Sequence, residues 1–222
     1  MMWAIDIREA EDFIMATVVI HAGSSTPTAP PCHVTSSTPR SWKWDRAQYY
    51  RLAELGFFTN QRVELVQGEI VIMSPMNEPH VRGVILALEA LRAAFPTGYT
   101  LRPQSPLDFG DSAPEPDVAV VTGAPRDIIA TPTSAILVVE VAETSLDYDT
   151  STKAELYAMA GVPDYWVVDL PTGRLLVFRD PGPLPAGLGA SAYRTHLSLA
   201  PDQMISPLAA PSASICVADL LP

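Results

Sequence analysis

Between Pro116 and Lys153 the chain sets an aspartate, a glutamate and a lysine into otherwise apolar sequence: EPDVAVV, then AILVVEVAETS, then DYDTSTKAELYAMAGVPDYW. Asp117 opens a run of Val and Ala, and Glu140 interrupts the run Ile136 to Val141. Lys153 shares a helical face with Leu156, Tyr157 and Ala160, at offsets of three, four and seven. Charged side chains are seldom fully buried unless they are paired or bind a metal. Two strand-borne carboxylates and a lysine are suited to a divalent cation with a cationic helper, the equipment for hydrolysing a phosphodiester.

Side-chain period places these groups. Alternate residues of a strand share a face, so Ile136, Val138 and Glu140 are expected on one side and Leu137, Val139 and Val141 on the other. An unpaired carboxylate on such a strand takes up a proton or costs several kcal/mol. A structural salt bridge is the plainer account of a lone Glu140, but Asp117 from a neighbouring strand adds a like charge that calls for something positive between them. Lys153 is expected in the first turn of its helix, where the dipole disfavours a cation by ~0.3–1 kcal/mol. Snorkelling to solvent is the plainer reading of that lysine. Lys43 is the only other lysine in the chain.

The elements that must carry these residues read as mixed α and β. Asp45 to Leu55 has a helix pattern closed by Gly56, RVELVQGEIVIM reads as a hairpin turning at Gln67-Gly68, and Pro79 fits the first turn of a helix to about Ala94. Strands are expected at Leu101 to Leu107, Pro116 to Val121 and Ile136 to Val141, followed by a helix over Ser151 to Ala160 ended by Gly161 and Pro163. A second hairpin, Tyr165 to Asp169 with Leu175 to Phe178, turns at Pro171-Thr172-Gly173, and Tyr193 to Leu199 adds a strand. Irregular interleaving favours a mixed central sheet flanked by helices, with extra hairpins.

Composition bounds the rest. A chain of 222 residues, 48% hydrophobic, suffices for one domain with a substantial core. Residues 22 to 40 are rich in Ser, Thr, Pro and Ala, the composition of a tether. Residues 1–40 are therefore expected to be a disordered extension and 41–222 the folded domain, with residues 1–21 either an accessory segment or a stretch upstream of the natural start. No apolar run reaches membrane-span length, and the acidic residues before FIMATVVI do not fit a secretory signal, so a cytoplasmic protein is expected. Cys32 and Cys216 have neither disulfide nor zinc spacing. The formal charge of -11, of which residues 1–40 contribute a net of only -2, gives no global basic field for nucleic acid; Arg62, Arg82, Arg92 and Arg102 are the candidates for a local basic stripe.

The blocks RVELVQGEIVIMSPMNEPH, RPQSPLDFGDSAPEPDVAVV and VVEVAETSLDYDTSTKAELYAMAGVPDYWVVD resemble the Uma-two family of restriction-endonuclease-like proteins, a branch of the PD-(D/E)XK nuclease superfamily. The resemblance runs from about Trp42 to the C-terminus. It implies a restriction-endonuclease-like core, with Pro116-Asp117 as the "PD" element and Glu140 as the second acid, both metal ligands, and the Val141 carbonyl as a main-chain ligand. The superfamily pattern places a lysine two residues after that glutamate. Ala142 stands there, and the resemblance implies that Lys153 has taken over from the following helix. Glu64 corresponds to an additional N-terminal acid that binds a second metal or orients the lysine, with Gln104 as an accessory candidate. From its own place at a helix start, His80 is a candidate base or phosphate contact, with a capping or surface role as the plainer reading. The activity that the resemblance implies is that of a Mg²⁺- or Mn²⁺-dependent endonuclease acting on DNA, with a homodimer as one way to cut both strands. In such an enzyme Lys153→Ala should abolish cleavage and leave the fold intact.

Two other classes stand beside that expectation. A nuclease-fold binding module without catalysis would suit the acidic charge, and a metal-independent glycosidase would use the paired carboxylates as acid and base. Asp149 is expected to cap the Lys153 helix, Asp164 and Asp169 to serve turns or edges, and His21, His33 and His196 lack partners at ligand spacing. Ser145 lies in no nucleophile motif.

Overall fold

The computed structural model describes residues 39–186 and 188–222. The expected extension over residues 1–40, with His21, His33 and Cys32, lies outside the described residues except for Pro39 and Arg40. The described secondary-structure elements belong to the unit Trp42–Pro222.

Helix α1 (Arg46–Glu54) starts where the sequence marks it. Asp45 accepts a hydrogen bond from the Gln48 N–H at 2.8 Å, the Gln48 side chain answers at the Asp45 N–H, and Gly56, at φ +82°, ends the helix. Strands β1 (Val63–Val66) and β2 (Glu69–Ile72) form a hairpin whose turn places both Gln67 and Gly68 at positive φ. The hairpin is tied to the body through the bridge Leu65↔Ala113 and the bond from the Gly68 N–H to the Asp111 carbonyl. Helix α2 (Glu78–Ala94) is capped by Asn77, and its buried stripe is Gly83, Val84, Ala87 and Leu91.

A six-stranded sheet runs in the order β3 (Tyr99–Pro103), β4 (Val118–Thr122), β5 (Leu137–Ala142), β6 (Asp164–Asp169), β7 (Arg174–Pro183), β8 (Ser191–Leu199). All neighbours are antiparallel except β5 and β6. That parallel pair needs a crossover. It is made by α3 (Leu146–Tyr148), a π-helical turn (Asp149–Lys153) and α4 (Ala154–Met159). Leu137, Val139 and Val141 pack with α2 on one face, while Val138 and Ala142 pack with Tyr157 and Ala158 of α4 on the other. Short strands β9 (Met204–Ile205) and β10 (Ile215–Cys216) close the α2 side.

Several boundaries differ from the sequence reading, among them that β4 starts at Val118 rather than Pro116 and β7 runs from Arg174 to Pro183 rather than from Leu175 to Phe178. Strand β3 stops at Pro103 rather than Leu107, because Gln104 turns the chain at φ +43° and its N–H bonds the Pro116 and Asp117 carbonyls. The crossover helix begins at Leu146 rather than Ser151. Its polar stretch reads as loop because hydroxyls compete with helix hydrogen bonds, but Thr150 and Ser151 bond back to the carbonyls of Leu146 and Asp147, four residues earlier, and so remain helical. Ile136, just before β5, packs with the α2 side rather than beside Glu140.

Helix α2 comes close to the sheet at Gly83, where a methyl group would lie 2.7 Å from Cγ1 of the buried Val141. Gly83→Ala is expected to destabilise the fold by about 1–3 kcal/mol, the overpacking cost exceeding the helix-propensity gain. A urea midpoint equal to or above that of the wild type would contradict this.

Candidate active site

Asp117 and Glu140 face each other one step beyond the last ladder pair of β4 and β5, Val118↔Val139. There, side chains replace main-chain pairing. The Asp117 N–H donates to Glu140 Oε2 at 3.1 Å, and the Val141 N–H donates to Asp117 Oδ2 at 2.8 Å. The other Asp117 oxygen, Oδ1, meets His80 Nε2 at 3.1 Å. Asp117 and Glu140 are thus fixed relative to each other by the backbone of the two strands that carry them.

Lys153 lies behind them, 1% exposed. Its ammonium donates to Glu64 Oε2 at 2.5 Å and to Glu140 Oε1 at 3.2 Å, and Glu140 Oε1 also accepts from the Tyr157 hydroxyl at 2.6 Å. The lysine comes from the π-helical turn, a distortion often found at functional sites. It therefore sits a full turn into the crossover helix rather than in its first turn, so the expected dipole penalty does not apply. Asp149, at the start of the same π-helical turn, is buried and accepts from Ser145 Oγ at 2.6 Å. It is part of the helix wall and not the cap that the sequence suggested.

One ammonium cannot neutralise this many acids. Burial pushes the Glu140 carboxyl up to about 8, against the lowering effect of Lys153, and burial likewise pushes Asp149 up to about 6. Burial alone would lower Lys153, but Glu140 and Glu64 more than reverse it and hold the ammonium above its ordinary value. The Lys153–Glu140 contact suggests a full ion pair, yet the raised Glu140 value suggests otherwise. Lys153 lies closer to Glu64 and also attracts Glu140, but burial outweighs that attraction and favours the protonated, neutral form of Glu140. The Asp117 hydrogen bond raises the His80 imidazole despite its burial, helped by a bond to the Val141 main chain.

The acids open on a cleft of about 280 Å³ lined by Arg62, Glu64, Asn77, His80, Asp117, Glu140, Val141, Glu143, Ser145, Tyr148 and Asp149, among others. Of the expected residues, Asp117, Glu140, Glu64, Val141 and His80 meet here. Lys153 touches the cluster from within the protein and does not line the cleft. Gln104 does not line it either; its side chain reaches Met76 Sδ, and its link to the site is the main-chain bond to Asp117. Of the four arginines proposed as a stripe, Arg62 alone lines the cleft, and Arg102 turns to the Pro106 carbonyl. Asp164 is a buried structural anchor on Arg179, Trp166 and Leu208, and Asp169 holds the Thr172 turn. Cys216 is a free thiol.

Sequence reasoning missed Tyr157 and Tyr148. Tyr157 was visible as a residue four positions after Lys153 on the same face, but period gives proximity and not the hydrogen bond to Glu140. Tyr148 gave no signal, because the helix was expected to begin after it.

A cation has a donor set here, though a sparse one. Among the described residues, no three His, Cys, Asp or Glu side chains stand together as a metal-enclosing group. Mg²⁺, however, keeps several waters and is commonly held by only one or two carboxylates. Glu64 Oε1 is buried with no hydrogen-bond partner among the described residues, and a cation would favour the ionised forms of Glu140 and Asp149 that burial disfavours. The residues present fit a partly hydrated divalent ion.

The fold is of the restriction-endonuclease-like class. The profile of the Uma2 family, described as "Putative restriction endonuclease", matches residues 46–217, and the chain belongs to that family. The crystal structure of "a putative nuclease belonging to DUF820" from Anabaena variabilis ATCC 29413 is similar in fold, with a TM-score of 0.58 at 15% identity over 78% of this chain and 95% of that one. No curated protein matches the sequence. Among the described residues, no helix is long and apolar enough to cross a membrane.

Removing Lys153 would leave Glu64 and Glu140 buried without their counter-charge. Lys153→Met is therefore expected to cost about 3–5 kcal/mol of stability, in contrast to the sequence expectation of an intact fold. Urea denaturation checks it: an unchanged midpoint would mean that the acids are neutral or otherwise paired.

Proposed function

We propose that the protein is a divalent-metal-dependent endonuclease that hydrolyses phosphodiester bonds of DNA. The observation that carries this reading is the Asp117–Glu140 pair, fixed by the ends of β4 and β5, buried at 4% and 5% exposure, and open to a cleft. Membership of a family described as "Putative restriction endonuclease" supports it.

Asp117, Glu140 and the Val141 carbonyl would hold Mg²⁺ or Mn²⁺. Such an ion lowers the pKa of a bound water and offsets charge on the phosphate. The protein's own residues do the positioning. The Val141 N–H and His80 orient Asp117, while Tyr157 and Lys153 orient Glu140. Lys153 acts through the carboxylates it fixes, since its amine does not face the cleft. Hydrolysis joins a water oxygen to phosphorus and breaks one P–O ester bond; the released alkoxide takes up a proton as water loses one. Arg62 is the cleft's guanidinium and is placed to meet a backbone phosphate.

The weak net attraction for DNA expected of a protein with -11 formal charge makes the ion part of substrate binding as well as of chemistry. EDTA is expected to abolish cleavage of plasmid DNA, and added Mg²⁺ or Mn²⁺ to restore it; cleavage that survives EDTA would favour the metal-independent glycosidase-like chemistry of a paired-carboxylate site. Asp117→Asn is expected to weaken Mg²⁺ binding by at least about tenfold in calorimetry. Equal affinity in that variant would move the ion elsewhere.

A further inference from the structure

The two oxygens of Glu140 are unequally engaged. An ionised carboxylate offers about four lone-pair positions, about two on each oxygen. At Glu140 Oε1 both are taken, because the Tyr157 hydroxyl donates at 2.6 Å and the Lys153 ammonium at 3.2 Å. Oε2 accepts the Asp117 N–H, at 3.1 Å, and keeps a position free. Asp117 is engaged evenly, with the Val141 N–H on Oδ2 and His80 Nε2 on Oδ1.

Tyr157 holds that asymmetry in place. It lies on α4, four residues after Lys153, is fully buried, and packs its ring against Phe109 and Tyr165, with ring centres 6.3 and 4.9 Å away. The hydroxyl therefore has a fixed place. Burial and the neighbouring Glu140 hold its phenol well above the ordinary value, so it remains a donor at neutral pH.

Divalent ions differ in how they use a carboxylate. Mg²⁺ demands near-ideal octahedral geometry and keeps several waters, whereas Ca²⁺ takes more oxygens in a looser shell and accepts a carboxylate through both of its oxygens. A glutamate that offers a single oxygen suits the first ion better than the second. We propose that the Tyr157 hydroxyl, with Lys153, fills Glu140 Oε1 so that Glu140 meets the ion only through Oε2, which makes Tyr157 a positioning residue that biases the site toward Mg²⁺ and against Ca²⁺. This rests on the reading of the cleft as a divalent-metal site and deepens it.

Tyr157→Phe keeps the ring and removes the donor. Calorimetry with each ion in turn is expected to show the ratio of Ca²⁺ to Mg²⁺ affinity rising at least about tenfold in the variant, the scale on which outer hydrogen bonds tune metal sites. A purely structural role for the hydroxyl would weaken both ions alike and leave that ratio where it was. In a crystal of the full wild-type chain grown with Mn²⁺, Glu140 is expected to reach the ion through Oε2 alone, a measurement that does not depend on the variant folding. An unchanged or lowered ratio in folded Tyr157→Phe, or Oε1 bound to Mn²⁺ in the wild type, overturns this inference and leaves the metal-dependent nuclease reading in place. A wild type that binds neither Mg²⁺ nor Mn²⁺ in calorimetry overturns both, and so the two failures are told apart.

Discussion

A single buried ammonium shared by two carboxylates is the constraint on which the arrangement depends. Lys153 reaches Glu64 on the β1 hairpin and Glu140 on the central strand β5, so one side chain ties a peripheral hairpin to the middle of the sheet. Buried ion pairs are weak evidence for stability, because desolvation offsets most of their attraction. Their retention in a core that could have been filled with apolar groups points to a task for the charges.

That task is the uneven distribution of charge. Lys153 lies closest to Glu64, and burial holds Glu140 toward its protonated form. Asp117 and Glu140 meanwhile are tied together through backbone N–H groups at the end of the β4–β5 ladder. The site is therefore preorganised by strand geometry and strained by its electrostatics, a combination that favours a cation in the cleft. The π-helical turn belongs to the same design. It brings Asp149 and Lys153 inward from a single widened turn of the crossover between the parallel strands.

Much of this was legible in the chain. The N-cap at Asp45, the turn at Gln67-Gly68, the proline at the start of α2 and the alternation along Leu137 to Val141 are local signals, and each produced the element it announced. Asp117 and Glu140 were readable because a charge inside an apolar strand breaks a pattern. The helix start at Leu146 was not readable, because Ser, Thr and Asp favour loop and helix termini through hydrogen bonds that only the folded backbone decides.

What the polymer determined by itself is the set of rare residue types in improbable surroundings: two acids in β-patterned runs, a scarce lysine on an apolar helix face, and the blocks that carry the family likeness. What only tertiary structure decided is which of them touch. Glu64 and Lys153 are 89 positions apart, and no periodicity relates a hairpin to a crossover helix. Whether an amine faces a cleft or lies behind it depends on packing between elements. For the same reason Tyr157, a core residue by pattern, and Tyr148, which lay before the expected helix, acquired their places at the site only when the chain closed on itself.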